Sequence, residues 1–312
     1  MKNKFLIIEN HPKVLSQSLE SFGFSVDQIP GITYKQLYDI IDDYVGIVIS
    51  SRLRIDRTFL NTATNLRYIL RPGSGMENVD MSYAEELDIT CINSPEGNRD
   101  AVAEHAIGMI LNLFNHINKA YTEVKNSVWL RENNRGVELR DKTIGIIGFG
   151  NTGQALAKKL SGFDVEILAY DKYKDASNDW VRSAEMKEIF EKADIVSLHL
   201  PLTSETKFIA NDQFFRNFRK SIFLINTSRG EIVKTSSLIN AIERGAVNGA
   251  CLDVLENEKL YTHSNKQKRE FEFLKESPQV LLTPHIAGWS DASKLRMITE
   301  LMRKFQQQLV VS

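Results

Sequence analysis

Short apolar runs recur along this chain, separated by stretches in which apolar residues return every three or four positions. In the first third, Phe5 to Ile8, Val45 to Ile49, Arg67 to Leu70 and Ile89 to Ile92 predict strands, and Pro12 to Phe22, Tyr34 to Ile41 and Asp80 to Leu87 predict helices. Such alternation argues for a parallel sheet covered by helices. From Arg99 to about Lys125 the spacing of Val102, Ala103, Ala106, Ile107, Ile110, Leu111 and Leu113 predicts one long helix, read as a crossover between domains. The alternation then resumes. Strands are predicted at Thr143 to Ile147, Val165 to Tyr170, Ile195 to Leu198, Ile222 to Ile225, Gly249 to Leu252 and Val280 to Leu282, and helices at Asn151 to Phe163, Ser183 to Phe190, Ser236 to Arg244 and Asp291 to Leu309. The polar run Asn257 to Glu272 reads as a surface loop.

A length of 312 residues favours about two domains. The fold class read from the pattern is α/β, with the second series forming a doubly wound dinucleotide domain over residues 99–288. Residues 1–98 and 289–312 form a substrate domain into which it is inserted, with a ligand cleft expected between the two. Composition narrows the functions. Hydrophobic residues make up 42% of the chain, enough for packed cores, and the net charge of −1 comes from interspersed acids and bases, so no footprint for nucleic acid or an anionic membrane stands out. The apolar core of the first ten residues, Phe5 to Ile8, is too short for a signal sequence or a membrane span, which places the protein in the cytoplasm. Cys91 and Cys251 lack metal-ligand spacing and read as buried thiols, and the six histidines form no H-x-x-x-H pair, so no metal site is expected.

The candidate chemistry starts after the strand ending at Ile147, where Gly148-Phe149-Gly150-Asn151-Thr152-Gly153 opens a helix. This is the context a dinucleotide fingerprint requires: Gly148 for the tight turn, Gly150 for close approach of a pyrophosphate, Gly153 for helix–strand packing. Asp171 ends the next strand, near the spacing of roughly 20 residues expected for an acid on a ribose 2′-hydroxyl, and favours NAD over NADP. Lys172 beside it softens that preference.

Five landmarks then stand in order: Arg71-Pro72-Gly73-Ser74-Gly75 with Asn78-Val79-Asp80; the fingerprint; Asn226-Thr227-Ser228-Arg229-Gly230; Gly249 to Val254 with Glu258; and Thr283-Pro284-His285-Ile286-Ala287-Gly288. Together they resemble the D-isomer-specific 2-hydroxyacid dehydrogenases, the family that includes D-3-phosphoglycerate, glycerate, D-lactate and formate dehydrogenases, over nearly the whole chain. The resemblance implies a Rossmann NAD-binding domain inserted into a flavodoxin-like substrate domain, without a C-terminal regulatory domain, in a homodimer formed through the cofactor domain and the Arg99 to Lys125 helix. It implies His285 as the acid/base at the C2 hydroxyl, paired with Glu258, and Arg229 gripping the substrate carboxylate and C2 oxygen. Thr227 and Asp253 join the cofactor contacts, Asp253 accepting from the nicotinamide carboxamide. Arg71, Ser74 and Gly75 hold the substrate, Ser74 and Gly75 through backbone N–H groups. Read singly, each residue has a plainer alternative: a core or surface histidine, a solvated charged loop around Glu256 and Glu258, a surface ion pair at Arg229, a turn aspartate at Asp253, turn glycines at Gly73 and Gly75.

Three positions depart from the family pattern: Lys259 in place of a common proline, Glu77 in place of aspartate, and Ser50 where many members carry arginine after the third strand. Arg52, Arg54 and Arg71 remain candidates to replace that arginine. The reading is an NAD-dependent oxidoreductase acting on a D-2-hydroxy acid, with 3-phosphoglycerate leading and glycerate/hydroxypyruvate, glyoxylate and D-lactate as alternatives. A second class is an NAD(H)-sensing, corepressor-like binding protein.

Overall fold

Along a strand, successive side chains face opposite sides, so an apolar run buries both faces of a parallel sheet. The computed structural model, which describes residues 3–311, forms such a sheet from β1 (Lys4–Ile7), β2 (Ser25–Gln28), β3 (Gly46–Val48), β4 (Tyr68–Arg71) and β5 (Thr90–Asn93), all parallel, in the order β2-β1-β3-β4-β5. Leu6, Ile47 and Ile69 face α2 (Tyr34–Ile40), α3 (Arg57–Thr62) and α4 (Met81–Glu86). Phe5, Ile7, Val48 and Leu70 face α1 (Val14–Ser21) and the C-terminal helix. That helix supplies Ile298, Leu301, Met302 and Phe305 to this core, all buried. Burying one such side chain contributes about 1.5–3 kcal/mol, which accounts for the C-terminal segment belonging with the N-terminal one. By contact the chain divides into two compact units, Met1–Asn98 with Trp289–Ser312, and Arg99–Gly288.

The second unit begins with α5 (Arg99–Phe114) and α6 (Ile117–Lys125). Its sheet contains β6 (Thr143–Ile147), β7 (Glu166–Tyr170), β8 (Arg182–Ser183), β9 (Ile195–Leu198), β10 (Ile222–Asn226), β11 (Val247–Leu252) and β12 (Val280–Leu282), all parallel in the order β12-β11-β10-β9-β6-β7-β8. α7 (Asn151–Leu160) packs with α5 on one face. α8 (Met186–Lys192), α9 (Asp212–Arg216), α10 (Thr235–Glu243) and α11 (Asn265–Glu276) cover the other. The last helix, α12, spans Asp291–Val311. Strand order reverses between β6 and β9, the topological switch point where doubly wound folds collect ligands.

Several expectations change. The predicted single helix from Arg99 to Lys125 is two: His116 is left-handed (φ 52°), and the side chain of Asn112 accepts from the N–H of Asn118 to cap α6. The break turns the apolar stripe outward, so α5 buries Val102, Ala106, Met109, Ile110 and Phe114 while Ile117, Tyr121 and Val124 of α6 are exposed. The predicted loop from Asn257 to Glu272 holds most of α11, started by a capping box between Ser264 and Gln267 and anchored by buried Leu274. Ser183 ends an edge strand, and the helix expected from it starts at Met186. Strand β2 and the short helices α3 and α9, capped by Asp56 and Asn211, were not in the predicted pattern. Among the described residues no helix is long and apolar enough to cross a membrane.

Candidate functional site

Strand β6 is buried throughout and ends in the glycine turn. Gly148 has φ +90°, and a Cβ there would lie 2.4 Å from the carbonyl oxygen of His199, so only glycine fits. A Cβ on Gly153 would meet the Gly148 carbonyl at the same 2.4 Å, which is how α7 approaches the turn so closely. Gly150 is the N-cap of α7 and offers no side chain to the first-turn N–H groups beginning at Asn151, leaving the helix N-terminus open to an anion. Asp171, half-buried at the end of β7, accepts from the backbone N–H groups of Phe149 (2.8 Å) and Tyr173 (3.0 Å). Each carboxylate oxygen retains a lone pair for a hydroxyl.

Thr152 brings in a residue that sequence reasoning missed. Its Oγ1 lies 3.0 Å from Nδ1 of His199, whose Nε2 lies 2.8 Å from Oγ of Ser197. Burial pushes the His199 imidazole down to about 4, so the ring is neutral and ties α7 to β9. Its position after the last apolar residue of β9 was the only available signal.

Arg229 follows β10 in extended conformation. Asn226 sets the turn before it: Oδ1 accepts from the N–H (3.1 Å) and Oγ (2.8 Å) of Ser228, and Nδ2 donates to the carbonyl of Arg229 (3.0 Å). Thr227 between them is buried, and its hydroxyl has no hydrogen-bond partner among the described residues. A buried orphan hydroxyl implies a further polar group, and with the uncapped α7 and the bare Gly148 turn it fits the dinucleotide expected on this sheet edge.

Asp253, 1% exposed after β11, organises the turn after β12. Oδ1 accepts from Oγ1 of Thr283 (2.6 Å) and from the N–H of Ile286 (2.9 Å), and Oδ2 accepts from the N–H of Ala287 (2.8 Å). Nε2 of His105, on α5, lies 3.0 Å from Oγ1 of Thr283. Expected as a ligand of the nicotinamide carboxamide, Asp253 also holds the turn around His285 with both oxygens, and Oδ2, with a single donor, keeps a lone pair. His285 is left-handed (φ 57°), its N–H donating to the Asp253 carbonyl at 2.7 Å.

Nδ1 of His285 lies 2.9 and 3.0 Å from the two carboxylate oxygens of Glu258. A carboxylate only accepts, so Nδ1 carries a proton and Nε2 is the nitrogen left for proton exchange. The hydrogen bond that His285 donates to Glu258 raises the His285 pKa above its ordinary value; burial works against this, the charges of Glu258 and Asp253 add to it, and Arg229 lowers it. The second unit therefore gathers Arg229, Asp253, Glu258 and His285 at the C-terminal ends of β10, β11 and β12, and Gly148 to Gly153 with Asp171 at the ends of β6 and β7.

On the first unit, the loop after β4 holds Arg71, Ser74 and Gly75. Nη1 of Arg71 donates to Oδ1 of Asn78 (2.5 Å), Oγ of Ser74 donates to Oδ1 of Asn98 (3.0 Å), and Gly75 is buried. Ser50, after β3, donates to Oε1 of Glu9 (2.9 Å). Arg52 donates to the same oxygen (2.8 Å) and to the carbonyls of Ile32 (2.9 Å) and Ile8 (3.5 Å), which fixes its guanidinium beside Glu9. Arg54 is exposed.

The family model described as D-isomer specific 2-hydroxyacid dehydrogenase, NAD binding domain, matches residues 107–287. The chain is similar to a hydroxypyruvate reductase of Thermotoga maritima, 32% identical over 274 residues, 88% of this chain and 88% of that protein. It is also similar to a D-3-phosphoglycerate dehydrogenase of Synechocystis, 30% identical over 307 residues, 95% of this chain and 54% of that protein. The chain thus spans about half the length of the D-3-phosphoglycerate dehydrogenases it matches. In fold it is similar to a D-lactate dehydrogenase from Aquifex aeolicus solved with NAD and lactic acid: TM-score 0.84, 24% identity, 98% of this chain and 95% of that one.

Proposed function

The chain belongs to the D-isomer-specific 2-hydroxyacid dehydrogenase family, and from that premise we propose that it reduces a 2-keto acid to the D-2-hydroxy acid with NADH and catalyses the reverse with NAD. The observation that carries this reading is His285 held through Nδ1 by Glu258, with Nε2 left to act. When bound, the nicotinamide supplies hydride to C2 or takes it away. His285 gives a proton from Nε2 to the C2 oxygen during reduction and removes it during oxidation. Arg229 presents a forked pair of donors to the carboxylate and C2 oxygen. Gly148, Gly150, Asn151, Thr152 and Gly153 receive the pyrophosphate, Asp171 the ribose hydroxyl, and Thr227 a further polar group of the cofactor. Arg71, Ser74 and Gly75 are proposed as further substrate contacts.

The raised pKa of His285 sets the direction of the pH dependence. The imidazolium that reduction needs persists to higher pH than in an ordinary histidine and is lost as pH rises through that pKa. Oxidation, which needs the neutral ring, gains over the same range.

For the substrate, the β1/β3 switch point of the first unit supports one ranking. Glu9 stands there, bound by Ser50 and Arg52, and a carboxylate at that edge disfavours a phosphorylated tail. The pair hydroxypyruvate/D-glycerate therefore stands ahead of 3-phosphoglycerate, glyoxylate and D-lactate. The test is a panel of hydroxypyruvate, 3-phosphohydroxypyruvate, glyoxylate and pyruvate with NADH and NADPH. Expected is faster NADH oxidation with hydroxypyruvate than with its phosphorylated form, and D-glycerate as product. The reverse ranking overturns the substrate assignment, and no oxidation of NADH by any of them favours the corepressor-like sensor.

The assembly proposed is a homodimer in which α6 and the segment after it meet a second copy. Ile117, Tyr121 (62% exposed) and Val124 form an apolar stripe continuous with Val128, Trp129 (76% exposed) and Leu130, a patch that marks an interface more often than bare surface. Light scattering is expected to give twice the 35.5 kDa chain mass, and Tyr121→Asp with Val124→Asp to shift the protein to the monomer. A monomer mass for the unaltered protein contradicts the dimer.

A further inference from the structure

Glu258 is half exposed, and a long side chain of that kind keeps one geometry only if the backbone beneath it is held. The backbone is held on both sides. On one side, Oε2 of Glu256 accepts from the N–H of Thr235 (3.0 Å), the first residue of α10. On the other, Asn257 is braced three times: Oδ1 accepts from the N–H of Lys259 (3.0 Å), Nδ2 donates to Oγ1 of Thr262 (3.0 Å), and the carbonyl accepts from Nε2 of His263 (2.8 Å). Oγ1 of Thr262 in turn donates to the carbonyl of Lys259 (2.7 Å). Since a carbonyl cannot donate, Nε2 of His263 carries the proton. His263 is itself fixed to α11: the capping box of Ser264 and Gln267 follows it directly, and its ring meets the edge of Phe271 at 5.9 Å. Buried Leu274 anchors that helix in the core.

We propose that His263 is a positioning residue for the acid/base pair, tying the Asn257 carbonyl to α11 so that the adjoining Glu258 carboxylate stays within reach of Nδ1 of His285. This inference rests on the proposed role of His285 and goes beyond it by assigning the loop that departs from the family pattern at Lys259. The charged groups facing His285 are Glu258, Asp253 and Arg229. Those around His263 are Glu256 and Glu270, the latter 3.5 Å from Lys266. Of these, Glu258 is the one whose placement depends on the brace, so loosening the brace weakens the interaction that raises the His285 pKa.

The readout is the alkaline limb of kcat/KM for NADH-dependent keto-acid reduction. Glu258→Gln moves the limb to lower pH by removing the charge. His263→Leu, which keeps apolar packing against Phe271 but loses the donor, moves it the same way by less. His263→Gln, which can still donate, restores the limb toward its original position, and His263→Leu adds nothing in the Glu258→Gln background, as expected for two residues acting through one contact. Thr262→Val, which takes the acceptor from Asn257 Nδ2, moves the limb down in the same sense and serves if His263→Leu does not fold. A limb that moves with Glu258→Gln but with neither His263→Leu nor Thr262→Val overturns the inference and leaves the acid/base reading standing. A limb indifferent to Glu258→Gln overturns both.

Discussion

Replacing Arg229 by glutamine lowers kcat/KM for keto-acid reduction by about 10²–10³-fold, the usual cost of removing a donor aimed at a developing oxyanion. Both kcat and KM are expected to contribute, because in the proposed reaction the guanidinium holds the ground-state carboxylate as well as the C2 oxygen on which charge develops. The position is prepared for this. Asn226 accepts twice from Ser228 and donates to the carbonyl of Arg229, so the residue leaves β10 along one path. Nη1 of Arg229 also donates to the carbonyl of Ser228 at 2.8 Å, restricting the side chain further. Arg229→Lys recovers only part of the loss, since an ammonium supplies charge without the planar fork. Steady-state kinetics with a parallel titration of NADH checks the result: the cofactor affinity is expected to stay near that of the unaltered protein. Unchanged kcat/KM in Arg229→Gln removes Arg229 from substrate binding.

Much of the architecture could be read from the chain because its strands are continuous apolar runs bounded by turns. Thr143 to Ile147 and Ile195 to Leu198 were predicted with the bounds observed, since both are central strands buried on both faces and nothing at their ends competes. The mistakes have local causes. Apolar spacing runs on past Phe114, and only the backbone shows that His116 adopts a left-handed conformation and sends the next stripe to the surface. The charges of Lys266, Lys268, Arg269, Glu270 and Glu272 resemble a loop composition; the signal against it, Ser264 followed three residues later by Gln267, is a helix start that the polar content masked.

At the candidate site, residue types were legible where a motif carried them, and partners were not. Asp253 stood out in sequence as a cofactor contact, yet its burial and three hydrogen bonds to the turn of His285 depend on the approach of β11 to β12. His199 was invisible because nothing in a linear pattern brings it against Thr152, 47 residues earlier. Residue spacing does not show that Arg52 faces Glu9, from the neighbouring strand end.

His285 is the group proposed to move the proton. Its left-handed backbone guides the choice of substitution, because alanine at φ 57° adds strain whereas asparagine tolerates that region. His285→Asn therefore keeps the turn set by Asp253 while deleting an acid/base of suitable pKa. General acid catalysis of this kind contributes about 10²–10⁴-fold, so kcat for keto-acid reduction is expected to fall by that factor. NADH binding, proposed to use the glycine turn, Asp171 and Thr227, should remain. The decisive measurement is kcat of His285→Asn with the best keto acid of the panel, alongside a fluorescence titration of NADH on the same preparation. Turnover lost with NADH affinity retained is the predicted result; near-normal turnover would contradict the account.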